Sequence, residues 1–244
     1  MNEDIREIET EDGAMETFVA WPDGDGPFPV VVLYMDAPGI RGELYDFTRR
    51  LAGSGYFGVL PDLYYRRGRV RLDMTRPGAR ETMYGHMNSL SNAGVVRDTR
   101  SLFAALEDDP IAAPAPMGCI GHCMSGQFVA TVAGTFPDCF RASISCYGVR
   151  IVTDAADSPH NLLKDARGEM LFAFAEKDEH VPDAALHVLR ETLEGAEVQS
   201  EVIVYPGTQH GFCFPERRNV YVESAAEDVW RRCFEMFARQ LGRE

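Results

Sequence analysis

The sequence predicts an α/β fold, a mostly parallel sheet with helices on both faces. Three observations carry that prediction. Val30-Val31-Val32-Leu33-Tyr34 is a continuous apolar, β-branched run, the composition of a strand buried on both sides. Runs of this kind alternate along the chain with stretches whose apolar residues recur at helical spacing. Between Met117 and Ala130, an apolar run passes into a helical pattern through a turn of small residues.

Taken in order, residues 1–20 alternate around Gly13 and predict a β-hairpin. Trp21 to Pro29, rich in Gly, Pro and Asp, predicts a turn before the Val30–Tyr34 strand. Leu44, Phe47, Leu51 and Ala52 mark a helix that Gly53-Ser54-Gly55 stops. Tyr56 to Leu60 is the next strand, closed by Pro61-Asp62. Residues 62–85 carry Arg66, Arg67, Arg69, Arg71, Arg76 and Arg80 and predict a long irregular basic loop, a feature more often functional than neutral. A helix from about Asn88 to Glu107 follows. After the Met117–Ala130 segment come strands at Arg141–Tyr147 and Gly168–Phe174, a helix at Pro182–Leu193, a strand at Glu201–Tyr205, and an amphipathic helix from Val220 to Leu241.

Composition narrows the function. A chain of 244 residues with 45% hydrophobic and 25% charged content can build one large core, so a single domain over 1–244 is expected. Acidic residues outnumber basic ones by 38 to 24, and the net charge of −14 argues against non-specific binding to nucleic acid or to anionic membranes. No apolar run approaches the ~18–20 residues of a membrane span. Met1-Asn2-Glu3-Asp4-Ile5 lacks the basic and apolar parts of a signal peptide. The six cysteines are scattered without a CxxC pair, so neither a zinc site nor a disulfide framework is suggested. A cytoplasmic protein with reduced thiols and no metal site is expected.

The chemistry concentrates at Gly121-His122-Cys123-Met124-Ser125-Gly126. A reactive side chain among small residues, between a strand and a helix, is the pattern of a nucleophile elbow. The sharp turn strains the nucleophile's backbone and leaves room only for small neighbours two residues away, here Gly121 and Ser125. The following helix directs N–H groups and a positive dipole end at Cys123, favouring a thiolate and an oxyanion. Loops at Asp36-Ala37, Cys123-Met124, Asp178-Glu179 and His210-Gly211 all leave the carboxyl ends of predicted strands, where ligands bind in open α/β sheets. Nucleophile, acid and histidine follow in the order of α/β-hydrolases. Cys123 would attack an acyl carbon, His210 would move the proton, and Asp178 would orient His210. The N–H groups of Met124 and Ala37 would hold the oxyanion. Ser125, with Cys123 two before it and Gln127 two after, fits the nucleophile's place poorly, and His122 is expected to pack. Glu176, Glu179 and Asp183 are the rivals of Asp178.

Leu60-Pro61-Asp62-Leu63-Tyr64, the elbow, Tyr147-Gly148-Val149, Asp178 with Val181-Pro182, and Tyr205-Pro206-Gly207-Thr208-Gln209-His210-Gly211-Phe212 together resemble the dienelactone hydrolase (carboxymethylenebutenolidase) family from Val30 to the last helix. The resemblance implies an α/β-hydrolase fold, a monomer or weak homo-oligomer, and cofactor-free opening of a lactone or activated ester by Cys123, Asp178 and His210. It implies that Asp36 stands where the family has a glutamate touching the resting cysteine. It also places Arg80, with Tyr84 beside it, on the substrate carboxylate. The family's second carboxylate-binding arginine falls at Phe214 here, with Arg217 and Arg218 nearby. The alternatives are a thioesterase or aryl-esterase with the same triad, and a binding protein that keeps the fold without the chemistry.

Overall fold

A computed structural model describes residues 1–242, which fall into two compact units, one of residues 1–114 and one from Ala115 onward. In the first, strands β1 (Asn2–Thr10), β2 (Gly13–Trp21), β3 (Phe28–Tyr34) and β4 (Phe57–Pro61) lie in the order β1-β2-β4-β3. The β1–β2 hairpin is antiparallel with Thr10 opposite Gly13, β2 is antiparallel to β4, and β3 is parallel to β4 with Val32 opposite Val59. The β3–β4 crossover is helix α1 (Gly42–Gly53), whose Leu44, Phe47, Leu51 and Ala52 are buried at the predicted spacing.

The predicted basic loop is partly helical. Helix α2 (Ala79–Met87) occupies its end, and α3 begins at Asn92 rather than Asn88, running to Glu107. Ser91 fixes that start, its Oγ accepting from the Gly94 N–H at 3.1 Å. Arg80 and Tyr84 therefore sit on a helix, the guanidinium 5.8 Å from the ring. Several of the other arginines hold the unit together. Arg66 grips Asp98 through two bonds of 2.9 and 2.7 Å, and Arg71 donates to Asp62 at 2.6 Å and also to Glu16. Asp98 and Asp62 are buried carboxylates, so these pairs offset a desolvation cost that leaving either unpaired would expose.

The second unit is the more regular. Strands β5 (Ala112–His122), β6 (Phe140–Cys146), β7 (Glu169–Lys177) and β8 (Gln199–Gln209) follow one another in space, and every pairing is parallel. Helices α4 (Gly126–Thr135), α5 (Asp183–Glu194) and α6 (Glu223–Gln240) match the predicted segments within a few residues. A short 3-10 segment at Pro159–Asp165 carries no period that the sequence analysis could detect. Phe128, Phe140, Phe172 and Phe237 are fully buried in this unit's core. Burying each contributes roughly 1.5–3 kcal/mol. Four parallel strands end together, four loops leave their carboxyl ends, and the reactive side chains stand on the loops after β5, β7 and β8.

Candidate active site

Cys123 follows the last residue of β5, Asp178 follows the last of β7, and His210 follows the last of β8. Parallel pairing fixes these ends in register, Gly121 opposite Ser145 and Lys177 opposite Gln209, so the three residues converge without help from long loops. Cys123 has φ 55°, a left-handed conformation costly for a residue with a Cβ. Its carbonyl is held by the Val149 N–H at 3.0 Å, and Gln127 Nε2 donates to the Met124 carbonyl at 3.1 Å. The small-residue requirement is visible. A Cβ on Gly121 would lie 2.6 Å from the Ser125 carbonyl oxygen, and one on Gly126 would lie 2.1 Å from the Gly148 Cα. Ser125 is fully buried while Cys123 is half-buried, so the thiol rather than the hydroxyl is presented.

Nδ1 of His210 lies 2.8 Å from Oδ2 of Asp178, and the other Asp178 oxygen accepts from the His180 N–H at 2.9 Å. Asp178 is nearly covered, its side chain 3% exposed against 14% for His210. The rival acids are elsewhere. Glu176 accepts from the Gly207 N–H at 3.0 Å, and Asp183 opens α5. Burial alone would push the imidazole of His210 down. Asp178 and the Cys123 sulfur outweigh that and raise it to about 9. Nε2 is buried without a fully formed hydrogen bond among the described residues, a looseness common before substrate tightens a site.

Two neighbours of His210 escaped the sequence analysis. The Tyr147 ring meets it edge-on at 4.9 Å and the His180 ring at 4.8 Å, so the imidazole is clamped between aromatic edges. Tyr147 belongs to the quoted Tyr147-Gly148-Val149 motif, which was the available signal. His180 had none beyond lying two residues after Asp178. His122 packs as expected, buried against Tyr147 and Phe214.

Beneath the elbow, His122, Cys146 and Cys213 bring their donor atoms within 4.8 Å of one another, all buried. Scattered in sequence, they gave no spacing signal. A nitrogen and two sulfurs are a donor set for a thiophilic cation. They also hydrogen-bond among themselves: burial pushes the Cys213 thiol up, but Cys146, His122 and Tyr147 together pull it below the usual range, while Cys146 rises because their shared bond lets only one ionise. All six cysteines are free.

In the first unit, Asp36 is fully buried and its two oxygens accept from Arg41 at 2.5 and 3.2 Å, while Arg41 also reaches Glu43 at 3.2 Å. Ala37 is held by its carbonyl, which accepts from the Tyr64 hydroxyl at 2.8 Å. In the second unit, Phe214 is buried where the resemblance called for an arginine, and Arg217 lies over its ring at 4.5 Å and against Gly211, next to His210.

The dienelactone hydrolase family model matches residues 15–241, nearly the whole chain. The chain belongs to the dienelactone hydrolase family. It is a carboxylic ester hydrolase by that membership. A Methylorubrum extorquens protein provisionally named carboxymethylenebutenolidase is 28% identical over 239 residues, covering 96% of this chain and 80% of its own length. A Synechocystis protein of the same provisional name is 26% identical over 227 residues, covering 92% and 91%. Among solved structures, one from Klebsiella pneumoniae, provisionally assigned as a dienelactone hydrolase, has a TM-score of 0.85 at 24% identity and covers 98% of each chain. A dienelactone hydrolase-like promiscuous phosphotriesterase from metagenomic libraries has a TM-score of 0.81 at 19% identity, covering 99% and 100%. Such likeness over whole chains shows the α/β-hydrolase fold that the sequence predicts. Among the described residues no helix is long and apolar enough to cross a membrane.

Proposed function

We propose that this member of the family opens a lactone or cleaves an activated ester through Cys123, His210 and Asp178, without a cofactor. The observation that carries the reading is the 2.8 Å bond between His210 Nδ1 and Asp178, which leaves Nε2 for the thiol of Cys123. Asp178 fixes the tautomer and supports the imidazolium. The Cys123 thiol gives its proton to Nε2 of His210 and its sulfur attacks the acyl carbon, forming a carbon–sulfur bond as the carbonyl electrons move to oxygen. The N–H of Met124 is one donor to that oxyanion, and the N–H of Ala37 is proposed as the second; one such donor is worth ~2.7–4 kcal/mol in the transition state. Collapse expels the alkoxide, which takes the proton from His210. His210 then removes a proton from water, and the hydroxide releases the acid from sulfur.

Substrate binding is assigned to Asp36, Arg80 and Tyr84. Arg41 engages both Asp36 oxygens, which supports a role for Asp36 in fixing its loop over one as a mobile partner of the resting thiol. Arg217, stacked on Phe214 beside Gly211, is the proposed second contact to a substrate carboxylate. The reading takes the chain as one catalytic unit, supported by the span of the family match, and places it in the cytoplasm as a monomer or weak homo-oligomer. A thioesterase or aryl-esterase would use the same triad. The test is hydrolysis of a dienelactone and a neutral aryl ester by wild type and Cys123→Ala. Loss of turnover in the variant supports the nucleophile; normal turnover in it removes Cys123 from the mechanism.

A further inference from the structure

We propose that the cavity between residues 148–153 and α5 receives the apolar substituent of the substrate's acyl group, of the size of a phenyl ring or a branched short alkyl chain. The proposal rests on the Cys123 reading above and narrows its substrate class. The cavity measures about 160 Å³, and its walls are largely apolar, with Ile151, Val152, Phe174, Val181, Leu186 and Leu189 among them. An apolar space of about 150 Å³ holds one benzene ring.

Two contacts connect this cavity to the reacting groups. His180 lines it and sets its ring edge-on to His210 at 4.8 Å. Gly148 lines it too, and the next residue, Val149, binds the Cys123 carbonyl at 3.0 Å. The cavity thus shares His180 with the surroundings of His210, and its Gly148 wall adjoins the residue that holds the nucleophile's carbonyl. The fragment that stays on sulfur after the leaving group departs is the one such a wall can sort.

The cavity is built rigidly. Tyr147 and Arg150 hold φ of 39° and 57°, conformations that side chains rarely adopt and that persist only where surroundings over-determine them. Here they are over-determined. The Tyr147 N–H binds the Ala173 carbonyl at 2.5 Å, the His160 N–H binds the Ile151 carbonyl at 2.9 Å, and the Thr153 N–H binds Ser158 Oγ at 2.8 Å. On the other side, Asp178 receives the His180 N–H, and the Val181 N–H reaches the Asp178 carbonyl at 3.3 Å. A preformed apolar space on fixed walls binds without first ordering them.

The test compares p-nitrophenyl acetate with p-nitrophenyl phenylacetate, which share a leaving group. Wild type is expected to prefer the phenylacetyl ester in kcat/KM by at least about tenfold, the factor that burying one or two methylene equivalents supplies. Ala185→Phe, which fills the cavity, should erase that preference while leaving acetate turnover within about twofold. Leu186→Ala, which enlarges it, should move the preference toward bulkier acyl groups and keeps the test alive if the filled variant does not fold. Equal changes for both esters, or an unchanged preference in a folded variant, would overturn the proposal. Cys123→Ala run on the acetate alone reports on the nucleophile separately, so failure of the triad is distinguishable from failure of the cavity.

Discussion

Oδ2 of Asp178 lies 2.8 Å from Nδ1 of His210, joining residues 32 apart at the ends of neighbouring parallel strands. Asp178→Asn keeps the size and removes the charge. Loss of the correct tautomer should lower kcat by ~10²–10⁴-fold. The pH profile gives the sharper test. His210 stands at about 9 because Asp178 and Cys123 outweigh burial, so activity requiring the imidazolium should fall off near that pH in the wild type. Without Asp178 the balance tips toward burial, and the descending limb of kcat/KM should move to lower pH. A limb that stays in place would separate Asp178 from the charge on His210.

The same bond sets how stability depends on pH. The folded imidazole is raised from 6.5 to about 9, so folding favours its protonated form. That contribution is fully present below pH 6.5 and is lost as pH rises through about 9, a loss on the order of 3 kcal/mol. Urea unfolding at pH 6 and pH 9.5 should show this decline in the wild type and a smaller one in His210→Gln. Equal declines would mean other groups carry it.

Thiol reactivity should single out one cysteine of six. Cys123 is half-buried beside a raised histidine, whereas Cys119 is fully buried, burial pushing its thiol up to about 12. Brief iodoacetamide treatment followed by peptide mass spectrometry should label Cys123 at least about tenfold faster than Cys119 or Cys146, since the thiolate is the nucleophile. Uniform slow labelling would favour a protein that kept the fold and lost the chemistry.

Much of this was legible in the sequence because parallel strands announce themselves as unbroken apolar runs, and their carboxyl ends are where reactive loops must lie. Val30–Tyr34 and the run ending at Ile120 were found for that reason, as were the loops at Cys123, Asp178 and His210. Helix α2 was missed because it is only nine residues long, has Gly85 inside it and fully buries only Ala79, so the helical spacing of Ala79, Met83 and Met87 is too short to stand out from a loop. His180 was missed because its relation to His210 is an edge-on ring contact between β7 and β8 loops, which no spacing encodes. The buried set of His122, Cys146 and Cys213 was invisible likewise, each coming from a different strand end.

The turn that presents Cys123 leaves a last prediction. A Cβ on Gly126 would lie 2.1 Å from the Gly148 Cα and 2.6 Å from Ser145 Oγ. The hydroxyl of Ser145 could rotate away, but the Gly148 contact is backbone in the loop that binds the Cys123 carbonyl and cannot. Gly126→Ala should therefore either displace that loop or tilt the start of α4, costing roughly 3 kcal/mol or more. Because the displaced groups frame Cys123, kcat should fall even in the fraction that folds. Gly42→Ala is the matched control: it opens α1, and nothing lies within 4 Å of its would-be Cβ. There the exchange should be neutral or stabilising by up to ~1 kcal/mol, through the lost freedom of the unfolded chain. Thermal unfolding of both variants decides the matter, since similar shifts would mean the elbow tolerates a methyl group and its close packing against Gly148 is not what holds the nucleophile.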